Sequence, residues 1–290
     1  MKAERNKREA KAFKDNENIP YPSMEEFKAE GKEFPSYLIF TITDEEGNFV
    51  RELRSSVKKG LNKMVWDMQY PAMNTVDASD AAQTKGLESS GIFVLPGTYK
   101  VSLAKNIKGE IAQLAGPISF KINELNNRTL PAKDYKEMTV FKQKSVKLVE
   151  ALGATSTVIR ELNDRIAPYK AATKAFSGEK AVQLLKEVIG LEDKLEAVRI
   201  KLNGDRTYGE LDLDAPYALN RRAGSAIYDI YGSTSNVPGS SKRSYEIAAD
   251  EFAPILEEVK ALKAEFEKMD QKLGTMNAPV TKGRLPNWKK

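Results

Sequence analysis

Cysteine and histidine are both missing from this 290-residue chain. Their absence removes disulfides, thiolate nucleophiles, imidazole bases and the usual zinc ligands together. Zero cysteine leaves the compartment open, because it suits the cytoplasm and many bacterial envelope proteins alike. No apolar run of about 18 residues occurs, so no helix is expected to span a membrane. The start, MKAERNKREAKAFKD, lacks the apolar core of a signal peptide. The expectation is a cytoplasmic protein or a piece of something longer. Glycine-rich phosphate loops are also lacking, and the lone GSSKRS at 239–244 does not have the spacing.

A formal net charge of +5 suggests nucleic acid at first sight. Its distribution argues otherwise. Residues 1–14 carry six basic and two acidic side chains, and residues 275–290 carry four basic and no acidic ones. The rest of the chain is therefore slightly acidic. Nucleic-acid binding favours a basic stripe on a folded face, so no nucleic-acid partner is expected.

Hydrophobic residues make up 41% and charged residues 30%, which is compatible with folded domains. Residues 1–34 read as a charged linker or helix fragment. Pro20 and Pro22 stop any helix there, and Ser23 with Glu26 forms a capping-box pattern for a short new one.

Residues 35–126 change character. SYLIFTI, then DEEGN, then FVREL read as a hairpin around an acidic Gly turn. In GLNKMVWDM, Met64, Trp66 and Met68 alternate onto one apolar face. The PG at 96–97 and NIKGE at 106–110 are further turns, flanking TYKVSLAK and followed by ISFKIN. Six or seven short strands at intervals of about ten residues predict an antiparallel sandwich. Residues 71–91 are too polar for a strand and read as a long exposed loop.

Residues 130–275 carry a different period. Apolar positions alternate by three and four along Tyr245, Ala248, Phe252, Ile255, Val259, Leu262, Phe266, Met269 and Leu273. The same spacing runs from Ala181 to Leu202 and from Met138 to Phe176, the latter with polar breaks at Ser145, Thr155 and Thr173. Such seams predict an antiparallel three-helix coiled-coil bundle. The short SGE connection at 177–179 makes the first two helices antiparallel. Pro168 and Pro254 lie inside the pattern and should kink their helices. A short extra helix is expected near 216–231, and 276–290 reads as a C-terminal tail.

Few residues suggest chemistry. Trp66–Asp67 is either a sugar platform with a neighbouring carboxylate or a core Trp with Asp67 turned outward, and its shared face with Met64 and Met68 favours the core. Asp212 and Asp214 are the best local carboxylate pair for glycoside hydrolysis, but acids before Pro216 also suit a helix N-terminus. Asp44, Glu45 and Glu46 read as a turn. DASD at 77–80 lacks the regular oxygen spacing of a calcium loop. No cofactor or metal is expected, and no catalytic residue is assigned. The least ordinary segment holds Tyr217, Arg221, Gly224 and Tyr228 at helical spacing, with Arg222 and Tyr231 beside them. Tyr and Arg are favoured at protein interfaces, so Tyr217, Arg221, Tyr228 and Tyr231 are the candidate binding residues.

Two resemblances enter on these motifs. ITDEEGNFVREL, KGLNKMVWDM and GIFVLPGTYKVSL resemble the immunoglobulin-like domain of the flagellar hook-capping family. Asp44, Gly47, Gly60, Trp66, Asp67, Gly97 and Tyr99 fit its pattern. From about residue 20 onward, the chain also resembles the C-terminal region of large secreted sortilin- or sialidase-like β-propeller proteins, often described as glycosyl hydrolases. YPSMEEF, VWDMQYP, LPGTYKVSL, GDRT, SYEIAADEFAPILEEVKAL and GRLPNW carry that likeness. It implies an internal Met1, a propeller outside this chain, and an extracytoplasmic setting in the periplasm, on the outer-membrane surface or outside the cell. Family activity would belong to the propeller.

The expectation is thus an immunoglobulin-like β-sandwich over 35–126 followed by a helical bundle over 130–275. Its role would be a non-catalytic docking module for the propeller or an envelope partner. The alternative is an accessory carbohydrate- or peptide-binding module of a hydrolase. Unpaired heptad faces leave a homodimer through the bundle open.

Overall fold

The fold was read from a computed structural model, which describes residues 2–19, 21–72, 90–125, 133–279, 281 and 284–285. The chain divides into two compact units, residues 1–70 with 96–125 and residues 71–95 with 126–290.

The first unit begins with two helices, α1 (Lys2–Lys14) and α2 (Met24–Gly31). The Ser23 hydroxyl accepts from the Glu26 amide while the Glu26 carboxylate accepts from the Ser23 amide, completing the expected capping box. Arg5 ties α1 to α2. Its guanidinium forks onto the Glu30 carboxylate at 2.8 and 2.9 Å and lies 5.3 Å from the Phe27 ring centroid.

Four strands of the first unit form an antiparallel sheet: β1 (Tyr37–Asp44), β2 (Phe49–Ser56), β5 (Gly97–Ile107) and β6 (Glu110–Ile122), in the order β2-β1-β5-β6. A separate two-stranded sheet pairs β3 (Gln69–Pro71) with β4 (Ser90–Phe93). The β1–β2 hairpin closes through Asp44, whose carboxylate accepts from the Asn48 amide at 2.7 Å and from its side-chain NH2 at 2.9 Å. The β5–β6 turn places Lys108 and Gly109 both at positive φ, the conformation that matches strand twist. Ile39, Ile42, Val50 and Tyr99 are buried in this unit. β6, by contrast, is exposed over most of its length as the edge strand.

The segment GLNKMVWDM departs from expectation. It forms no strand and joins no ladder. Side chains take its backbone groups instead: the Asn62 carboxamide bonds the Lys58 and Gly60 carbonyls and the Lys58 amide. Positive φ at Gly60 and Met68 bounds the segment. Met64 and Trp66 are half-buried, but Met68 is exposed, so the three do not share one covered face.

The second unit is helical: α3 (Tyr135–Thr173), α4 (Gly178–Asn203), α5 (Arg206–Glu210), α6 (Leu219–Tyr231) and α7 (Gly239–Thr275). The heptad seams become its core. Every residue of the α4 seam from Leu184 onward is buried, as is every residue of the α7 seam from Ala248 onward. Ser145, Thr155 and Thr173 stay in the seam without cost to hydrogen bonding. Their hydroxyls donate back to the carbonyls of Phe141, Ala151 and Lys170 at 2.8–2.9 Å. Pro168 and Pro254 are accommodated within helices that continue past them.

Ion pairs fix the helix directions. Glu137 meets Lys242 and Arg165 meets Asp270, so α3 and α7 run parallel. Between α4 and α7, Lys272 meets Glu187, Lys194 meets Glu265 and Lys201 meets Glu258. Each seven-residue step up α4 is matched by seven residues back along α7, so these two are antiparallel in strict heptad register. α4 therefore also opposes α3. Inside, the Tyr169 hydroxyl donates to Asp270 at 2.7 Å, and burial together with that acceptor raises the phenol pKa. No helix is long and apolar enough to cross a membrane among the described residues.

Candidate functional site

α6 is where the helical unit turns chemistry outward. Its sequence LNRRAGSAIYDIY divides cleanly by helical spacing. Leu219, Ala223, Ala226 and Ile230 are buried, and α6 packs on α7, α3 and α4. Leu219 and Ala223 belong to the same hydrophobic core as the three long helices. The extra helix is thus a core element of the bundle and no mere cover over its seam. It starts at Leu219 with Ala218 in the N-cap position, three residues later than Pro216 suggests.

The opposite face holds the candidate binding residues. Tyr217 is 49% and Tyr228 84% exposed, and Arg221 is exposed beside them. The Arg221 guanidinium lies 4.8 Å and that of Arg222 5.5 Å from the Tyr217 ring centroid. One aromatic ring thus carries two cations, a contact worth about 0.5–1 kcal/mol per exposed pair. Neither arginine has a carboxylate partner among the described residues, and Arg222 Nε is buried without an acceptor. Arg5, Arg8, Arg54, Arg165, Arg199 and Arg243 all form such pairs. Tyr231 stands apart. It is half-buried, and burial raises its phenol pKa. Arg222 joins the cluster although helical spacing alone gives it no place on the Tyr217–Arg221–Tyr228 stripe; its long side chain reaches back toward the helix start.

Just before α6 lies a second exposed group. Glu210, Leu211, Asp212, Leu213 and Asp214 are all exposed, with Leu211 at 64% and Leu213 at 56%. Asp212 sits at φ 53°, in a turn where Leu213 N–H donates to the Tyr208 carbonyl. None of the three acids forms an ion pair among the described residues.

The remaining candidates have structural duties. The Trp66 indole N–H donates to the Gln69 carbonyl at 3.0 Å, and the Asp67 carboxylate accepts from the Gln69 amide at 3.1 Å. The Trp66 ring stands edge-on to Tyr99 and Phe120 at 5.8 and 6.1 Å. It is committed to its own unit and offers no open platform. Burial pushes the Tyr99 phenol up to about 12. Asp44 closes its hairpin, and that bonding to Asn48 lowers its pKa. DASD at 77–80 lies outside the described residues. Among the described residues, no three carboxylates gather in a way that could hold a metal ion. Comparison with known proteins found no matching family model, no matching curated protein and no matching solved structure.

Proposed function

We propose that this chain is a non-catalytic interaction module. Its sheet unit, in this reading an immunoglobulin-like sandwich, docks on the β-propeller of a larger extracytoplasmic protein. Its helical unit, read as a coiled-coil arm, presents α6 to a protein partner. One observation carries the reading: α6 gives its apolar stripe to the core and still leaves Tyr217, Arg221 and Tyr228 outside it. Those residue types dominate the energetics of protein interfaces. The carboxylates that sequence reading singled out and the structure describes offer no facing pair: Asp44 closes a hairpin, Asp67 accepts from the Gln69 amide, and Asp212 and Asp214 stand exposed.

The test is the light-scattering mass of the chain, alone and mixed with a separately expressed propeller region of such a parent. A complex with the summed mass supports docking. A chain that ignores the propeller but binds a soluble oligosaccharide saturably would overturn the proposal in favour of the accessory-module reading.

A further inference from the structure

We infer that the α6 face docks a second copy of this chain, through a two-fold exchange between its Tyr–Arg cluster and the acidic loop at 210–214. This rests on reading that face as a docking surface, and it names the occupant.

Charge supplies the first reason. Among the described residues, Arg221 and Arg222 lack carboxylates, and Glu210, Asp212 and Asp214 lack bases, although fewer than a dozen residues separate the two groups. Elsewhere in the helical unit, the same residue types find partners even across helices. The chain's own fold does not bring this loop onto its own arginines. A two-fold axis does, twice, because in a self-complementary interface the contact from loop to helix is repeated from helix to loop. A heterologous acidic partner would satisfy the arginines and leave the acids and the two leucines exposed.

Apolar surface supplies the second reason. Leu211 and Leu213 alternate with the acids on the loop, and Tyr217, just before the helix, and Tyr228 on it flank the arginines. All four are about half or more exposed. Each patch thus combines charge of one sign with apolar side chains, the composition in which electrostatics sets register and burial supplies affinity. The Arg fork matches a carboxylate in a bidentate geometry, which fixes orientation as well. A patch this short belongs to the weak end of specific interfaces, so dissociation in the micromolar range is expected.

The experiment is light scattering of the full chain from about 10 µM to about 1 mM. The expected result is a twofold rise in mass across that range, suppressed in high salt. Arg221→Glu with Arg222→Glu makes helix and loop both acidic, and Asp212→Lys with Asp214→Lys makes both basic. Each variant alone stays monomeric. Mixed together they form a heterodimer, because both halves of the exchange are then complementary. Arg221→Glu and Asp214→Lys serve as a milder pair should Arg222 prove necessary for folding, and circular dichroism confirms the helices.

A wild-type chain that remains monomeric at about 1 mM overturns the inference. So does a dimer indifferent to all four substitutions, or a mixture that fails to associate. If the chain stays monomeric while Arg221→Glu abolishes binding of a protein partner, the second copy is excluded and the docking surface stands. If the face can be reversed in charge without changing any association, both readings fall.

Discussion

At the residue scale, two positions show how little freedom the sheet unit has. Gly116 sits in β6 at φ 93°, where a Cβ would meet the Val101 carbonyl oxygen at 2.6 Å and Ser102 Cα at 2.9 Å. The β5–β6 register shifts at this point, so the glycine is what lets two backbones approach. Gly116→Ala should destabilise the unit by about 1–3 kcal/mol. The check is urea unfolding followed by Trp66 fluorescence in a Trp288→Phe background; an unchanged midpoint would refute it. Asp44 makes the second case. Its bonds to Asn48 hold its folded pKa below the ordinary carboxylate value. A depressed pKa contributes stability that is present above the unfolded value, about 3.9, and lost as pH falls through the folded one. The stability gap between wild type and Asp44→Ala should therefore narrow on acidification below about pH 4. A gap independent of pH would mean that the carboxylate charge contributes nothing to the hairpin.

Elements are governed by the contrast between seam and ladder. Leu262 is buried at the α7 seam with 3% of its surface exposed. Leu262→Ala should cost about 2–5 kcal/mol, through lost burial and the cavity left behind. The ion pairs of Glu187, Glu258 and Glu265 flank that seam in heptad register but are largely solvated. Exposed pairs are worth about 0.2–1 kcal/mol each. Replacing the three glutamates by glutamine should lower the melting temperature slightly at low salt and not at all near 1 M salt, where screening has removed their effect. A large loss that persists in salt would show that the ladder does more than select register. Much of this was legible beforehand, because period, polarity and burial all agree along α4 and α7. The α6 core stripe was harder to read: Leu219, Ala223, Ala226 and Ile230 are two large and two small side chains, and small residues give a faint periodic signal.

For the whole molecule, the helical core consists entirely of second-unit residues. Two compact units predict two unfolding transitions. Leu262→Ala should shift the transition seen by helical circular dichroism and leave the Trp66 transition in place. Coincident shifts of both would show one cooperative unit. The charge excess of the chain also reads differently at this scale. The basic N-terminus lies in α1, where Arg5 is neutralised by Glu9 and Glu30 and held against α2. The paired Arg5 does not form part of an open basic stripe.

By itself, the sequence determined the two structural periods, the turns at Asp44–Asn48 and Lys108–Gly109, the capping box at Ser23 and the seam residues. Each depends on neighbours within about a turn or on a strict repeat, which local chemistry specifies without long-range help. Tertiary structure decided the rest. The alternation around Trp66 could not show that Asn62 and Asp67 would take the backbone groups that a neighbouring strand would have taken. The spacing of α6 could not show that its small residues would be buried, leaving Arg221 and Arg222 on the Tyr217 ring. Both outcomes depend on which distant surfaces arrive, and no local pattern encodes that.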